Sequence, residues 1–151
     1  MEKQIKLIIA DFLVHLGIDF EDIEVIKRDE KSFRVNAIST EPSLLIGHHG
    51  ENLQAMQKVI KVIIHHKFGE DMTVMFDVDN YRYRQEENVL TITKQKIDEV
   101  RSTRNQAALP PMSPYFRRVI HMFVRDGGFS DIKTESMGQG NYRQVVLKYN
   151  G

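Results

Sequence analysis

The sequence predicts an α+β chain of two small units joined by a helix, and three observations carry that expectation. Apolar residues recur at helical spacing in four stretches and alternate in five others. A helix with only a narrow apolar stripe, residues 81–103, interrupts the succession. Charge divides at the same place. Residues 1–80 carry nine Lys/Arg against fourteen Asp/Glu, a net of −5, and residues 81–151 carry twelve against seven, a net of +5. The expected units are therefore residues 1–80 and residues 81–151, the second including the linker helix.

In the first unit, Ile5, Ile8, Ile9, Phe12, Leu13 and Leu16 follow i, i+3, i+4 spacing and predict a helix over 2–16 that stops at Gly17. Ile23 and Val25 alternate with charged residues, as do Phe33, Val35 and Ala37. Two strands, about 22–29 and 32–39, follow, and the tight turn at 29–31 makes them a hairpin. A short helical turn at 42–46 leads into Gly47-His48-His49-Gly50. A helix over 51–67, with Leu53, Met56, Ile60 and Ile63 facing inward, ends before Gly69. Met72, Val74, Phe76 and Val78 alternate as a third strand. The expected result is a three-stranded sheet with helices on one face.

In the second unit, the helix over 81–103 shows Tyr83, Leu90, Ile97 and Val100 as its apolar stripe and charge elsewhere, the pattern of a helix that bridges domains. Pro110 and Pro111 force an extended approach to the next element. Ser113 suits an N-cap and Pro114 the first helical position. That helix runs to about Asp126 and is stopped by Gly127-Gly128. Strands over 130–135 and 143–149, with Gly138 and Gly140 between them, close the chain.

Composition narrows the function. The chain is 41% hydrophobic and 28% charged, which suits a globular protein. It has no cysteine, hence no disulfide framework and no thiolate metal site. No apolar run approaches the roughly 18 residues of a membrane span, and the first residues read as a charged amphipathic helix, not a signal peptide. A cytoplasmic protein is expected. The histidines occur as the adjacent pairs His48-His49 and His65-His66, with His15 and His121 apart. Adjacent helical residues point about 100° apart, and no His-Glu-x-x-His spacing occurs, so no metal is expected. With no phosphate-loop lysine motif and no nucleophile elbow, neither an enzyme nor a cofactor is expected. Asp77 and Asp79 share one strand face near its end and read as solvated.

Two stretches carry binding chemistry. The first is Ile46-Gly47-His48-His49-Gly50, an apolar run followed by a Gly-x-x-Gly turn that opens into a helix. Glycines let a backbone approach a phosphate with no Cβ in the way, and helix N-termini favour anions. The second is the helix over 114–126. With Phe116 at zero and about 100° per residue, Val119, Ile120, Phe123 and Val124 form the expected buried stripe. Arg117, His121, Arg125 and Arg118 share an arc turned away from it. Arginine supplies planar paired donors suited to phosphate, and no acid is interspersed among these three.

The order of these motifs resembles a known family. A Gly-x-x-Gly unit, then Tyr81-Arg82-Tyr83-Arg84, Leu109-Pro110-Pro111-Met112 and Arg117-Arg118-Val119-Ile120-His121 is similar to the bacterial Jag/KhpB proteins. These join a type II KH domain to a domain named for its Arg-x-x-x-His motif. Thr134, Ser136, Gly138, Arg143, Val145 and Val146 extend the likeness, which spans about residues 20–149. The resemblance implies a KH-like first unit and a small α+β Arg-x-x-x-His second unit. It implies binding of single-stranded nucleic acid, RNA ahead of DNA, with roles around cell elongation, division or sporulation. The glycine loop would grip the backbone, and Arg117 and His121 would match the name-giving pair; Arg118, Arg125 and Arg143 complete the expected contact set. The sequence departs from the family at His48-His49, where basic residues are usual, and at Phe116, where glutamate is frequent. Residues 1–20 hold one helix, so the separate N-terminal domain of many members is expected to be missing. The rival reading is a protein-interaction or dimerisation scaffold, with a second copy or another KH-type protein as partner.

Overall fold

The computed structural model describes residues 1–151 and divides them into two compact units, Met1–Arg82 and Tyr83–Gly151. Both are α+β, each with one three-stranded sheet. No helix is long and apolar enough to cross a membrane.

The first unit runs α1 (Glu2–His15), β1 (Asp22–Asp29), β2 (Ser32–Ile38), α2 (Pro42–Ile46), α3 (Glu51–Phe68) and β3 (Thr73–Val78). β1 and β2 form the expected antiparallel hairpin, with Val25 opposite Val35. β2 and β3 pair in parallel, with Val35 beside Phe76. Parallel neighbours need a long crossover, and here it contains α2, the glycine turn and α3. Ile5, Ile9 and Leu13 of α1 join Leu53, Ile60 and Ile64 of α3 and Ile23, Val35 and Phe76 of the sheet in one buried core. Each such side chain contributes about 1.5–3 kcal/mol when fully buried.

α3 corrects one expectation. Ile64 is fully buried and Ile63 only half-buried. At about 100° per residue, Ile64 returns to within about 20° of Leu53, whereas Ile63 lies about 80° away. Gln57, on the same helix, closes the open edge of β3. Its amide donates to the Val74 carbonyl at 2.8 Å and accepts from the Phe76 N–H at 2.7 Å. An edge strand's free backbone groups are thereby occupied.

Asp77 is the second correction. It is 1% exposed, not solvated. Its carboxylate accepts from the N–H groups of Val78 at 2.9 Å and Arg82 at 3.2 Å, with the Arg34 guanidinium 3.4 Å away. Asn36, also buried, donates to Glu24 at 3.2 Å and accepts from the Asn80 N–H at 2.9 Å. The turn through Asp79 and Asn80, both at positive φ, brings those backbone donors onto the end of the sheet. Buried polar groups persist when they are paired in this way.

The second unit contains α4 (Tyr81–Thr103, whose first two residues belong to the preceding unit), β4 (Ala107–Ala108), α5 (Pro114–Asp126), β5 (Ile132–Met137) and β6 (Gln144–Tyr149). The sheet order is β4-β6-β5, antiparallel throughout. β4, two residues long, has no counterpart among the expected strands. The extended segment after it stays beside β6 through the Leu109 N–H, which donates to the Val145 carbonyl at 2.8 Å. The stripe of α4 is Val89, Thr93, Ile97 and Val100, with Tyr83 exposed and Leu90 half-buried. Thr93 can lie in that seam because its hydroxyl donates to the Val89 carbonyl at 2.7 Å. The end of α4 is tied to the residue before β5 by a two-pronged Arg101–Asp131 ion pair, both contacts 2.7 Å.

Candidate nucleic-acid interface

The phase of α5 decides which of its basic side chains reach solvent. Phe116, Ile120 and Val124 are buried, while Val119 and Phe123 are half-buried. The stripe is thus centred on Ile120, rotated about 40° from Phe116 toward Arg117. Spacing alone places Val119 and Phe123 inside; Phe123 instead lies beside the Phe129 ring, centroids 5.2 Å apart. The same rotation draws Arg117 and His121 partly inward and leaves Arg118 and Arg125 exposed.

These four side chains line one open groove of about 550 Å³, together with Pro114, Met122, Thr134 and Ser136. No carboxylate stands in its wall. Arg117 is held by its Nε–H donating to the Met112 carbonyl at 3.2 Å. Burial, and then the charge of nearby Arg143, pull its pKa below the ordinary guanidinium value. Arg143 reaches that place because its guanidinium donates to the Gly138 carbonyl at 2.8 Å across the turn before β6. Two guanidiniums that repel each other with no acid between them favour an anion. Arg118 makes no ion pair. Arg125 is shared with its neighbour Asp126, 2.8 Å away in a well-exposed pair.

His121 differs from the arginines. Its Nδ1 lies 2.6 Å from the Thr134 hydroxyl and its Nε2 lies 2.9 Å from the Ser136 hydroxyl. Burial first, then the Arg117 charge, hold its pKa below the ordinary histidine value, so the ring is neutral at pH 7. Both ring nitrogens are turned to β5, not to open solvent. In the sequence, Thr134 and Ser136 stand out only through their likeness to a family. Alternation along β5 puts them on one face with buried Ile132, and that period of two is the signal that could have found them.

The glycine turn belongs to the first unit. Gly47 has φ 73° and Gly50 has φ 77°, both in the region that glycine favours. A Cβ on Gly47 would lie 2.6 Å from the Asn52 side chain, whose amide donates to the Leu44 carbonyl at 2.8 Å. A Cβ on Gly50 would lie 3.2 Å from the Tyr81 ring. Between the glycines, His49 adopts φ 52° and ψ 27°, a left-handed conformation that costs roughly 1–2 kcal/mol in a residue with a Cβ. Ile46 packs partly against the core, while His48 and His49 project as exposed rings with centroids 3.9 Å apart. The first turn of α3 has no side-chain cap, and its first amide, that of Glu51, donates to the His48 carbonyl within the loop. No group of three or more His, Asp or Glu converges as a metal site would require.

The groove lies within a stretch of the chain that matches a known domain family. Residues 87–149 match the R-3-H domain family, named for its Arg-x-x-x-His motif. The chain is similar to the RNA-binding protein KhpB of Clostridium symbiosum, at 30% identity over 118 residues, 78% of this chain and 52% of that protein. It is similar to the protein of the same name in Bacillus subtilis (strain 168), at 27% identity over 124 residues, 82% of this chain and 60% of the relative. The Lactiplantibacillus plantarum protein of that name is 31% identical over 113 residues, 75% of this chain and 34% of the relative. The chain therefore spans between a third and three fifths of the length of these relatives. Residues 87–149 are thus similar to an Arg-x-x-x-His domain, and most of this chain is similar to part of the KhpB proteins.

Proposed function

We propose that this chain is a non-enzymatic binding protein for single-stranded nucleic acid, RNA ahead of DNA, acting in the bacterial cytoplasm. The observation that carries the reading is the α5–β5 groove, lined by three arginines and no carboxylate. Phosphate contacts from arginine supply most sequence-independent affinity for a nucleic acid. The names of the similar KhpB proteins, each called RNA-binding, favour RNA. The first unit is read as a type II KH domain, supported by its element order and by a Gly-x-x-Gly turn that leads directly into α3. In this reading Ile46, Gly47, His48, His49 and Gly50 hold one stretch of backbone. Arg117, Arg118, Arg125 and Arg143 hold phosphates on the second unit. A role around cell elongation, division or sporulation belongs to the same proposal.

The test is titration of a labelled single-stranded RNA into the full chain at pH 8, after a high-salt wash that strips co-purified nucleic acid. The wild type is expected to bind. His48→Lys, His49→Lys is expected to bind more tightly, because fixed positive charge replaces exposed imidazoles beside the backbone. A stripped protein that binds no RNA and runs as a salt-insensitive dimer would sink the proposal in favour of a scaffold. RNA binding with no gain in the double-lysine variant would remove the loop from the site.

A further inference from the structure

The two hydrogen bonds of a neutral His121 ring leave one hydroxyl proton over. A neutral imidazole donates from one nitrogen and accepts at the other. One of the two hydroxyls it touches must therefore give its proton to the ring, and the other must receive one from it. Hydroxyl donors make shorter hydrogen bonds than N–H donors. The shorter contact, 2.6 Å at Thr134 against 2.9 Å at Ser136, points to Thr134 as the donating hydroxyl. In that tautomer Thr134 donates to Nδ1, and Nε2–H donates to the Ser136 oxygen. The Ser136 O–H is then unspent, on a residue that lines the groove beside Arg117, Arg118 and Arg125.

We infer that Ser136 is a ligand-contacting residue, its hydroxyl donating to a non-bridging phosphate oxygen in the groove, with Thr134 and His121 as the relay that orients it. This rests on the groove being a nucleic-acid site, and it adds the atom that binds without carrying charge. The arginine charges attract the phosphate at long range; a hydroxyl, acting only at hydrogen-bond distance, selects one position for it. Burial, and then the charge of Arg117 one turn earlier on α5, favour the uncharged ring and so keep the relay in this state. On the β5 side the two groups that meet the ring are hydroxyls, neither of which titrates near neutrality.

The experiment is titration of a mixed-sequence single-stranded RNA into the full chain and its variants at several salt concentrations, with nitrogen-15 spectra of the His121 imidazole. Ser136→Ala is expected to weaken binding about tenfold, the loss of one hydrogen bond to a charged group. The salt dependence should not change, since no charge is removed, and Ser136→Thr should restore affinity. The imidazole spectrum should show the Nε2–H tautomer. Wild-type affinity in Ser136→Ala, with weakened binding in Arg117→Ala, Arg118→Ala, overturns the inference and leaves the groove as the site. An Nδ1–H tautomer also overturns it. Undiminished affinity in both variants removes the site itself, and the inference with it.

Discussion

The proposed RNA binding implies a salt dependence that can be worked from the arginines one at a time. Arg117, Arg118 and Arg143 have no carboxylate partner, whereas Arg125 is shared with Asp126. For a single strand, each phosphate neutralised contributes about −0.7 to the slope of log K against log salt. Three free guanidiniums give a slope of about −2, which between 50 and 200 mM salt is a loss of roughly twentyfold in affinity. Arg117→Ala, Arg118→Ala leaves Arg143 and should bring the slope to about −0.7, a loss of roughly threefold over the same range. Anisotropy of a labelled single-stranded RNA at three salt concentrations measures both slopes. A melting curve checks that removing the Arg117 contact to Met112 leaves the unit folded. A double variant that keeps a slope near −2 would show that the electrostatic footprint lies elsewhere, and the groove would lose its part in the function.

Two further expectations separate fold from binding. Ile120, with no exposed surface, should cost about 2–5 kcal/mol as Ile120→Ala, while exposed Arg118→Ala should shift stability by no more than about 0.5 kcal/mol; equal melting of the two would mean that the α5 phase is wrong. Gly47→Ala adds a Cβ at φ 73°, 2.6 Å from the Asn52 side chain, costing about 1–2 kcal/mol for the backbone and about 1 kcal/mol for the displaced Asn52–Leu44 hydrogen bond. Asn52→Ala in the same chain should recover the steric part only, and strict additivity of the two changes in denaturant melts would contradict the close approach.

What is legible in the sequence is what local chemistry determines. The periodicities that locate α1, α3 and α5, the Pro114 start of α5 and the glycine turn each depend on residues close together in the chain. They act through backbone preferences that need no partner. The features that escape are those set by contacts distant in sequence. Asp77 reads as a solvated carboxylate because nothing near it shows that Arg34 and the Arg82 N–H will converge on it. Gln57 looks like a surface residue until β3 comes to rest beside it. Thr93 breaks the apolar pattern of α4, so spacing draws the stripe through Tyr83 and Leu90, one residue out of phase.

The same division runs through the candidate site. Counting basic residues on α5 locates the groove, because charge on a helix face follows from spacing alone. It cannot say that His121 will be neutral and spent on β5, since that depends on Thr134 and Ser136, thirteen and fifteen residues further along. Four side chains that look equivalent on a helical wheel therefore have three roles. Arg118 is a free charge at the surface. Arg117 is a charge held in place by the Met112 carbonyl and set against Arg143. His121 is an uncharged relay. Arg125 joins the first role only if a phosphate can displace Asp126, and the exposure of that pair makes the exchange inexpensive. In the proposed function a polyanion entering the groove meets exposed charge first and anchored charge second. The Ser136 hydroxyl, which acts only at hydrogen-bond distance, would come last, so that the same groove would first capture a strand and then position it.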